Sequence, residues 1–264
     1  MGYASFLKIN FLVNLNFEHM KYIFGNWKMY LDYKQSVDLA NSLVKENLKN
    51  ENVEIAVFPT ALTMKDVTDI LQNTNFKTGA QDAGHPSHGA YTGMISAEMY
   101  KNIGCTYALA GHSERRHIFG ETNKDVRAKI ESYLDAGLKT VVCIGETEQD
   151  RNNDKARYRL AKQILRAFEG LNFAQGQILV AYEPVWAIGT GNACLPADAI
   201  DRIDFIKLEI AKYSQNMVPV LYGGSVDENN VLSYFSEDII DGVLVGGASA
   251  KLDNFTDIIK NVLK

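Results

Sequence analysis

The stretch "QILVAYEPVWAIGTG", residues 177–191, holds an apolar run that stops at a carboxylate and passes into a proline, a tryptophan and a small-residue tail. The run shows no polar alternation. A strand of that kind is buried on both faces, as a parallel strand covered by helices is and a half-wet antiparallel strand is not. Short β-branched or aromatic runs recur at "YIF" from Tyr22, "EIAVF" from Glu54, "FKTGA" from Phe76, "TYALA" from Thr106, "KTVVCI" from Lys139, "VPVLY" from Val218 and "DGVLV" from Asp241. With the first run that makes eight.

Between most of these lie stretches with apolar residues three and four apart, at 36–48, 123–134, 156–168, 197–213 and 255–263, the spacing of amphipathic helices. Strands joined through helices run parallel. Eight such units within residues 20–264 match a closed (β/α)8 barrel, eight parallel strands with outer helices, better than an open doubly wound sheet. No Pro/Gly/Ser-rich linker and no shift of composition divides them, so residues 20–264 are expected to form one catalytic barrel domain.

Residues 1–19 stand apart. They carry a short apolar run broken by Asn14 and Asn16 and no small-residue cleavage site, which makes a poor signal peptide. Phe6 stands where myristoylation requires Ser or Thr. The expectation is a leader or expression-tag-like extension outside the fold.

With 264 residues, 46% of them hydrophobic, the chain can bury a full core. A net charge of −5 argues against a nucleic-acid or polyanion binder, so any anion is expected at one local site. No run approaches the ~20 apolar residues that span a bilayer. Cys105, Cys143 and Cys194 are odd in number, widely spaced and outside any metal-ligand pattern, so free thiols in a reducing, cytoplasmic setting are expected.

A barrel places its chemistry just after the carboxyl ends of its strands. "GNWK" follows the first run with Asn26 and Lys28, "GHSE" the fourth with His112 and Glu114, and Glu183 the sixth. "GGSV" at 223–226 and "GGAS" at 246–249 follow the seventh and eighth. Glu183 sits at the rim of a core, where scarce water raises a carboxyl toward the working range of a general base. His112 precedes a short helix start, whose positive end keeps an imidazole neutral and able to donate to a carbonyl oxygen. Asn26 and Lys28, two apart in an extended segment, are expected to point to one side. The paired glycines let backbone amides approach an anion. A segment stiff in the middle and flexible at its ends reads as a lid.

Taken one at a time, each of these has a plainer reading: a surface glutamate, a satisfied core histidine, a solvated lysine, an ordinary glycine turn. Taken together, "GNWKM", "GAYTG", "GHSERR", "CIGE", "YEPVWAIGTG", "YGGSV" and "VGGAS" occur in order, and residues 20–264 closely resemble the triosephosphate isomerases. That family is itself the standard worked case of a carboxylate base beside a neutral histidine, so those roles come with the resemblance.

The resemblance implies that Glu183 moves a proton between two carbons of a small phosphorylated triose through an enediolate. It implies that neutral His112 polarises the carbonyl, that Lys28 and Asn26 stabilise the oxyanion, and that Glu114 supports the site beside them. The phosphate would be held at Gly189, Ser225, Gly246 and Gly247, under a lid of Pro184, Val185, Trp186, Ala187, Ile188, Gly189, Thr190 and Gly191. It implies neither cofactor nor metal. His85 and His88 without a third ligand are read as surface or interface residues.

The long loop 81–94 is implied to insert into a second copy, with Gln81, Asp82, Tyr91 and Thr92 at a homodimer interface. Four positions depart from the family's common pattern: Met94 for glutamate, Asp82 for asparagine, Asn192 for lysine and Ala250 for leucine. The first leaves Arg115 expected to lack a cross-subunit carboxylate. An alternative, a binding or interaction protein on a retained barrel, would be expected to lose one of Glu183, His112 or Lys28, and none is lost.

Overall fold

The computed structural model describes residues 20–188 and 194–264. Residues 1–19 and the lid positions Gly189, Thr190 and Gly191 lie outside the described residues. Eight strands, Lys21–Asn26 (β1), Val53–Phe58 (β2), Phe76–Ala80 (β3), Tyr107–Ala110 (β4), Lys139–Ile144 (β5), Ile178–Tyr182 (β6), Val220–Tyr222 (β7) and Gly242–Val245 (β8), form one closed barrel in sequential order. Every pair is parallel, and β8 closes onto β1 through Tyr22 opposite Gly242 to Gly25 opposite Val245. The protein is a single (β/α)8 TIM barrel.

The helices are Tyr33–Lys45 (α1), Met64–Leu71 (α2), Ala97–Asn102 (α3), Ser113–His117 (α4), Asn123–Asp135 (α5), Glu148–Asn152 (α6), Ala156–Phe168 (α7), Pro196–Ile210 (α8), Val231–Phe235 (α9) and Leu252–Val262 (α10). Their starts are chemically marked. Asp32 with Gln35, Thr122 with Asp125 and Thr147 with Asp150 form reciprocal capping boxes at α1, α5 and α6. Helix α1 ends earlier than its apolar spacing suggests, because Asn47 turns left-handed (φ 48°). Strand β7 is shorter than "VPVLY" suggests because Pro219 has no N–H for the ladder, although its carbonyl still accepts from Val180 (2.8 Å).

Two cores result. Helix faces such as Leu39, Ala40 and Leu43 of α1 pack on the outside of the sheet, while Phe24, Phe58, Tyr107, Leu109, Val141, Leu179, Leu221 and Leu244 fill the inside. The ring of Phe24 lies 4.8 Å from that of Tyr107 and 5.7 Å from that of Phe58. Gly79 pairs with Tyr107, and a side chain there would run into Phe58 and Tyr107, so its bareness makes room for the aromatic plug. A filled barrel leaves only its rim for chemistry, and the loops after β1, β4, β6, β7 and β8 all open at the same rim.

Candidate active site

Asn26 ends β1 and is buried; the chain then turns so that Lys28 adopts a left-handed conformation (φ 49°). The extended segment expected from the sequence is therefore not formed. Asn26 Oδ1 accepts from the Lys28 amide (3.0 Å), a local turn that substitutes for strand geometry, and both side chains still line one recess. The Lys28 ammonium reaches Glu114 Oε1 at 2.7 Å.

His112 caps α4. Its Nδ1 accepts from the Glu114 amide (3.2 Å), which leaves the proton of a neutral ring on Nε2. Nε2 lies 3.0 Å from Glu183 Oε1, and the other carboxylate oxygen accepts from the Ser113 amide at 2.7 Å. Glu183 is 2% exposed and His112 6%. Burial pushes the Glu183 carboxyl up, as expected, but His112, the Ser113 amide and Lys28 outweigh it and hold the group below its ordinary value. For His112, burial acts downward and the Glu183 carboxylate overrides it, so the net direction is up. A second proton would have to take Nδ1 from the Glu114 amide. The pair is thus a buried acid–base couple poised by its own contact.

Pro184 to Ile188, the described part of the expected lid, begins at Glu183 and contains the 3₁₀ turn Val185–Ala187. Trp186 Nε1 donates to Glu146 Oε1 (2.9 Å), Tyr182 Oη donates to the same oxygen (2.9 Å), and the Val185 amide donates to the Glu146 carbonyl (3.1 Å). Arg151 lies over the Trp186 ring at 3.9 Å. Sequence reasoning quoted Glu146 within "CIGE" but gave it no role. The signal was the one used for Glu183: an acid just past an apolar strand.

Ser225 Oγ donates to the Ala187 carbonyl (2.8 Å), joining the loop after β7 to the lid. Gly223, Gly224 and Gly246 line the recess with Asn26, Lys28, His112, Glu183, Ile188 and Leu244. A β-carbon at Gly246 would stand 3.4 Å from Lys28 Cε, and one at Gly223 3.1 Å from Glu183 Cγ, so the glycines keep space open before both charged groups. Gly247 opens the 3₁₀ turn Gly247–Ala250 beyond the recess lining. The recess is open to solvent at the rim, and about 280 Å³ of non-atom space lies in and over it.

The expected interface residues separate into two groups. Tyr91 and Thr92 are exposed on the projecting loop, together with Met94. Gln81 and Asp82 turn into their own chain: Gln81 Nε2 donates to the carbonyls of Lys28 (2.8 Å) and Phe58 (2.9 Å), while Asp82 pairs with Lys129 (2.5 Å) and Arg115 (3.2 Å). Arg115 also meets Glu121 (3.4 Å) and so has carboxylates within its own subunit. Among the described residues no cluster of three or more His, Cys, Asp or Glu could hold a metal, and no helix is long and apolar enough to cross a membrane.

The family model described as triosephosphate isomerase matches residues 21–262. The triosephosphate isomerase of Dehalococcoides mccartyi (strain CBDB1) is 40% identical over 242 residues, covering 90% of this chain and 94% of that protein. That of Alkaliphilus oremlandii (strain OhILAs) is 41% identical over 242 residues, covering 90% and 97%. That of Francisella philomiragia subsp. philomiragia is 38% identical over 248 residues, covering 92% and 98%. A closed barrel with an acid–base pair, an amine and glycine-rich loops at one rim, matched in this way along its length, is an isomerase of the (β/α)8 class. The chain belongs to the triosephosphate isomerase family.

Proposed function

We propose that the chain interconverts glyceraldehyde 3-phosphate and dihydroxyacetone phosphate by proton transfer through an enediolate, as a cytoplasmic homodimer. The observation that carries this reading is the 3.0 Å contact of Glu183 with His112 in a recess that also holds the Lys28 ammonium. To reach a substrate carbon, the Glu183 carboxylate must leave His112 and the Ser113 amide. Leaving removes the contacts that hold its pKa down while burial continues to push it up, so the group becomes a stronger base where a base is needed. The same movement frees the His112 Nε2–H to donate to the carbonyl oxygen.

Glu183 takes the proton from one carbon and returns it to the next, while His112 moves a proton between the two oxygens. Lys28 and Asn26 offset the developing negative charge. Glu114 holds the Lys28 ammonium at the recess. The phosphate would meet Ser225 and the amides of Gly246 and Gly247, with Gly189 added from the lid. Electrons and atoms are conserved within the substrate, so the reaction calls for no organic cofactor. Lid closure keeps water from the enediolate, which otherwise eliminates phosphate.

The dimer reading rests on the rim. Tyr91 (50% exposed) and Met94 (48%) lie on the loop after β3, and Met29 after β1, Leu62 after β2, and Ile118 and Phe119 after α4 are exposed as well. Apolar side chains gathered in this way mark an interface. The cytoplasmic reading is supported by three buried free thiols. Burial pushes Cys105 up to about 11 and Cys194 up to about 12, so neither is a ready nucleophile.

The test is conversion of glyceraldehyde 3-phosphate by the purified chain, with Glu183→Gln as the control for contaminating host enzyme. Fast turnover lost in the variant is expected. Turnover that survives the substitution in protein made by a host lacking its own isomerase removes Glu183 from its role, and a folded chain without turnover leaves the barrel as a binding protein.

A further inference from the structure

We propose that Gln81 is a positioning residue for the reaction: its side-chain amide holds the Lys28 backbone in the turn that delivers the ammonium to the recess. The proposal rests on the reading of Lys28 as the electrostatic group of the site.

Lys28 is one of three described residues other than glycine with positive φ (49°). A β-carbon makes that conformation unfavourable, and glycine would adopt it freely but has no ammonium. A lysine persists there only if its surroundings over-determine the turn. Three anchors do so. The Lys28 N–H is taken by Asn26 Oδ1 (3.0 Å), its Nζ by Glu114 Oε1 (2.7 Å), and its carbonyl by Gln81 Nε2 (2.8 Å).

The Gln81 contact is the least replaceable of the three. Nε2 also donates to the Phe58 carbonyl (2.9 Å), which accepts from the Trp27 amide (3.1 Å), so one amide group ties the exit of β1 to the end of β2. Both partners of Nε2 are carbonyl oxygens. Only an NH₂ group can serve two acceptors, which fixes the orientation of the amide. A carboxylate of the same shape would set negative charge against both carbonyls. Gln81 heads the projecting loop, yet it spends both donors inside its own chain, on the catalytic turn and not on a partner.

The test compares Gln81→Glu and Gln81→Met with the unsubstituted chain and repeats the series in a Lys28→Met background. Four quantities are read: isomerase kcat, isomerase KM, melting temperature, and calorimetric affinity for glycerol 3-phosphate, a triose-sized phosphate that cannot react. In the chain with Lys28 intact, kcat/KM is expected to fall about 10- to 100-fold in both variants, with weaker binding of glycerol 3-phosphate. In the Lys28→Met background, the same substitutions should change either quantity less than about twofold, because the positioned group is gone. Lowering the pH toward about 5 should recover part of the loss in Gln81→Glu, whose protonated form donates one bond, and none in Gln81→Met. Losses of equal size with and without Lys28 would reduce Gln81 to a structural role, and full activity in both variants would overturn the proposal. Should the unsubstituted chain bind glycerol 3-phosphate without isomerising, the isomerase mechanism fails while the binding series still decides the role of Gln81.

Discussion

Nε2 of His112 and Oε1 of Glu183 stand 3.0 Å apart, brought together across the barrel mouth from the ends of β4 and β6, so the proposed acid–base groups hold each other. The contact orients the ring and helps hold the carboxyl pKa below its ordinary value, and in the proposed mechanism it must break before either group meets a substrate. The reach of the Glu183 side chain is therefore a kinetic quantity. Glu183→Asp shortens it by one methylene and displaces the carboxylate by about an ångström, which is expected to lower kcat about 100-fold with little change in KM. Steady-state kinetics decides it, and an unchanged kcat would mean that another group is the base.

Lys28 lies 2.7 Å from Glu114 and its side chain is 15% exposed, so its charge acts inside the recess and not in bulk water. Lys28→Met keeps the length of the stem and removes the charge. The expected loss in kcat/KM is about 100- to 1,000-fold, the scale of deleting one electrostatic contact to a developing oxyanion. A loss confined to KM would show that the ammonium binds the phosphate equally in ground and transition states and takes no part in the chemistry.

The barrel was legible because most of its strands are short apolar runs without regular polar alternation, although β3, "FKTGA", carries an exposed Lys77 beside Thr78. The proposed site residues Asn26, His112 and Glu183 could be picked out for the same reason, since each stands at or just past the end of such a run. What stayed hidden depends on groups that sequence spacing does not display. The Ser113 contribution to Glu183 is a backbone amide and would be the same for nearly any residue. The turn at Lys28 breaks the two-residue period assumed for an extended segment. Asp82 and Arg115, 33 positions apart, meet only because β3 and β4 are neighbours in the sheet. The short helices α3, α4, α6 and α9 hold five or six residues each, too few to show helical periodicity.

Glu146 carries a pH prediction. Burial pushes its carboxyl above the ordinary value, and the donors Trp186, its own amide and Tyr182 only partly offset this. A folded-state pKa above that of the unfolded chain means that the folded protein binds the proton more readily. The stability contributed by Glu146 is thus fully present below about pH 4.5, the ordinary carboxyl value, and is lost as pH rises through the folded pKa. Glu146→Gln retains an oxygen for Tyr182 and Trp186 and removes the buried charge. Its melting temperature should match the parent near pH 4 and exceed it at pH 8. A variant less stable than the parent at pH 8 would show that the charge itself holds Trp186.

Met94 is the position that tests how the two copies of the proposed dimer would be held. The side chain is exposed on the loop after β3, whereas Arg115 is engaged by Asp82 at 3.2 Å and Glu121 at 3.4 Å in its own chain, so the Arg115 guanidinium does not depend on a partner's carboxylate. The contact proposed at this loop is then apolar, and apolar burial is insensitive to salt screening while ion pairing is not. The dimer dissociation constant, followed by sedimentation equilibrium, should change less than about threefold between 0.05 and 1 M salt. Met94 is 48% exposed, so each copy has about half a side chain left to bury and the two together contribute roughly 1.5–3 kcal/mol; Met94→Asp should therefore weaken the dimer about 10- to 100-fold. A chain that stays monomeric at every concentration would dismiss the dimer. A dimer that weakens steeply with salt would place its strength in ion pairs elsewhere on the rim.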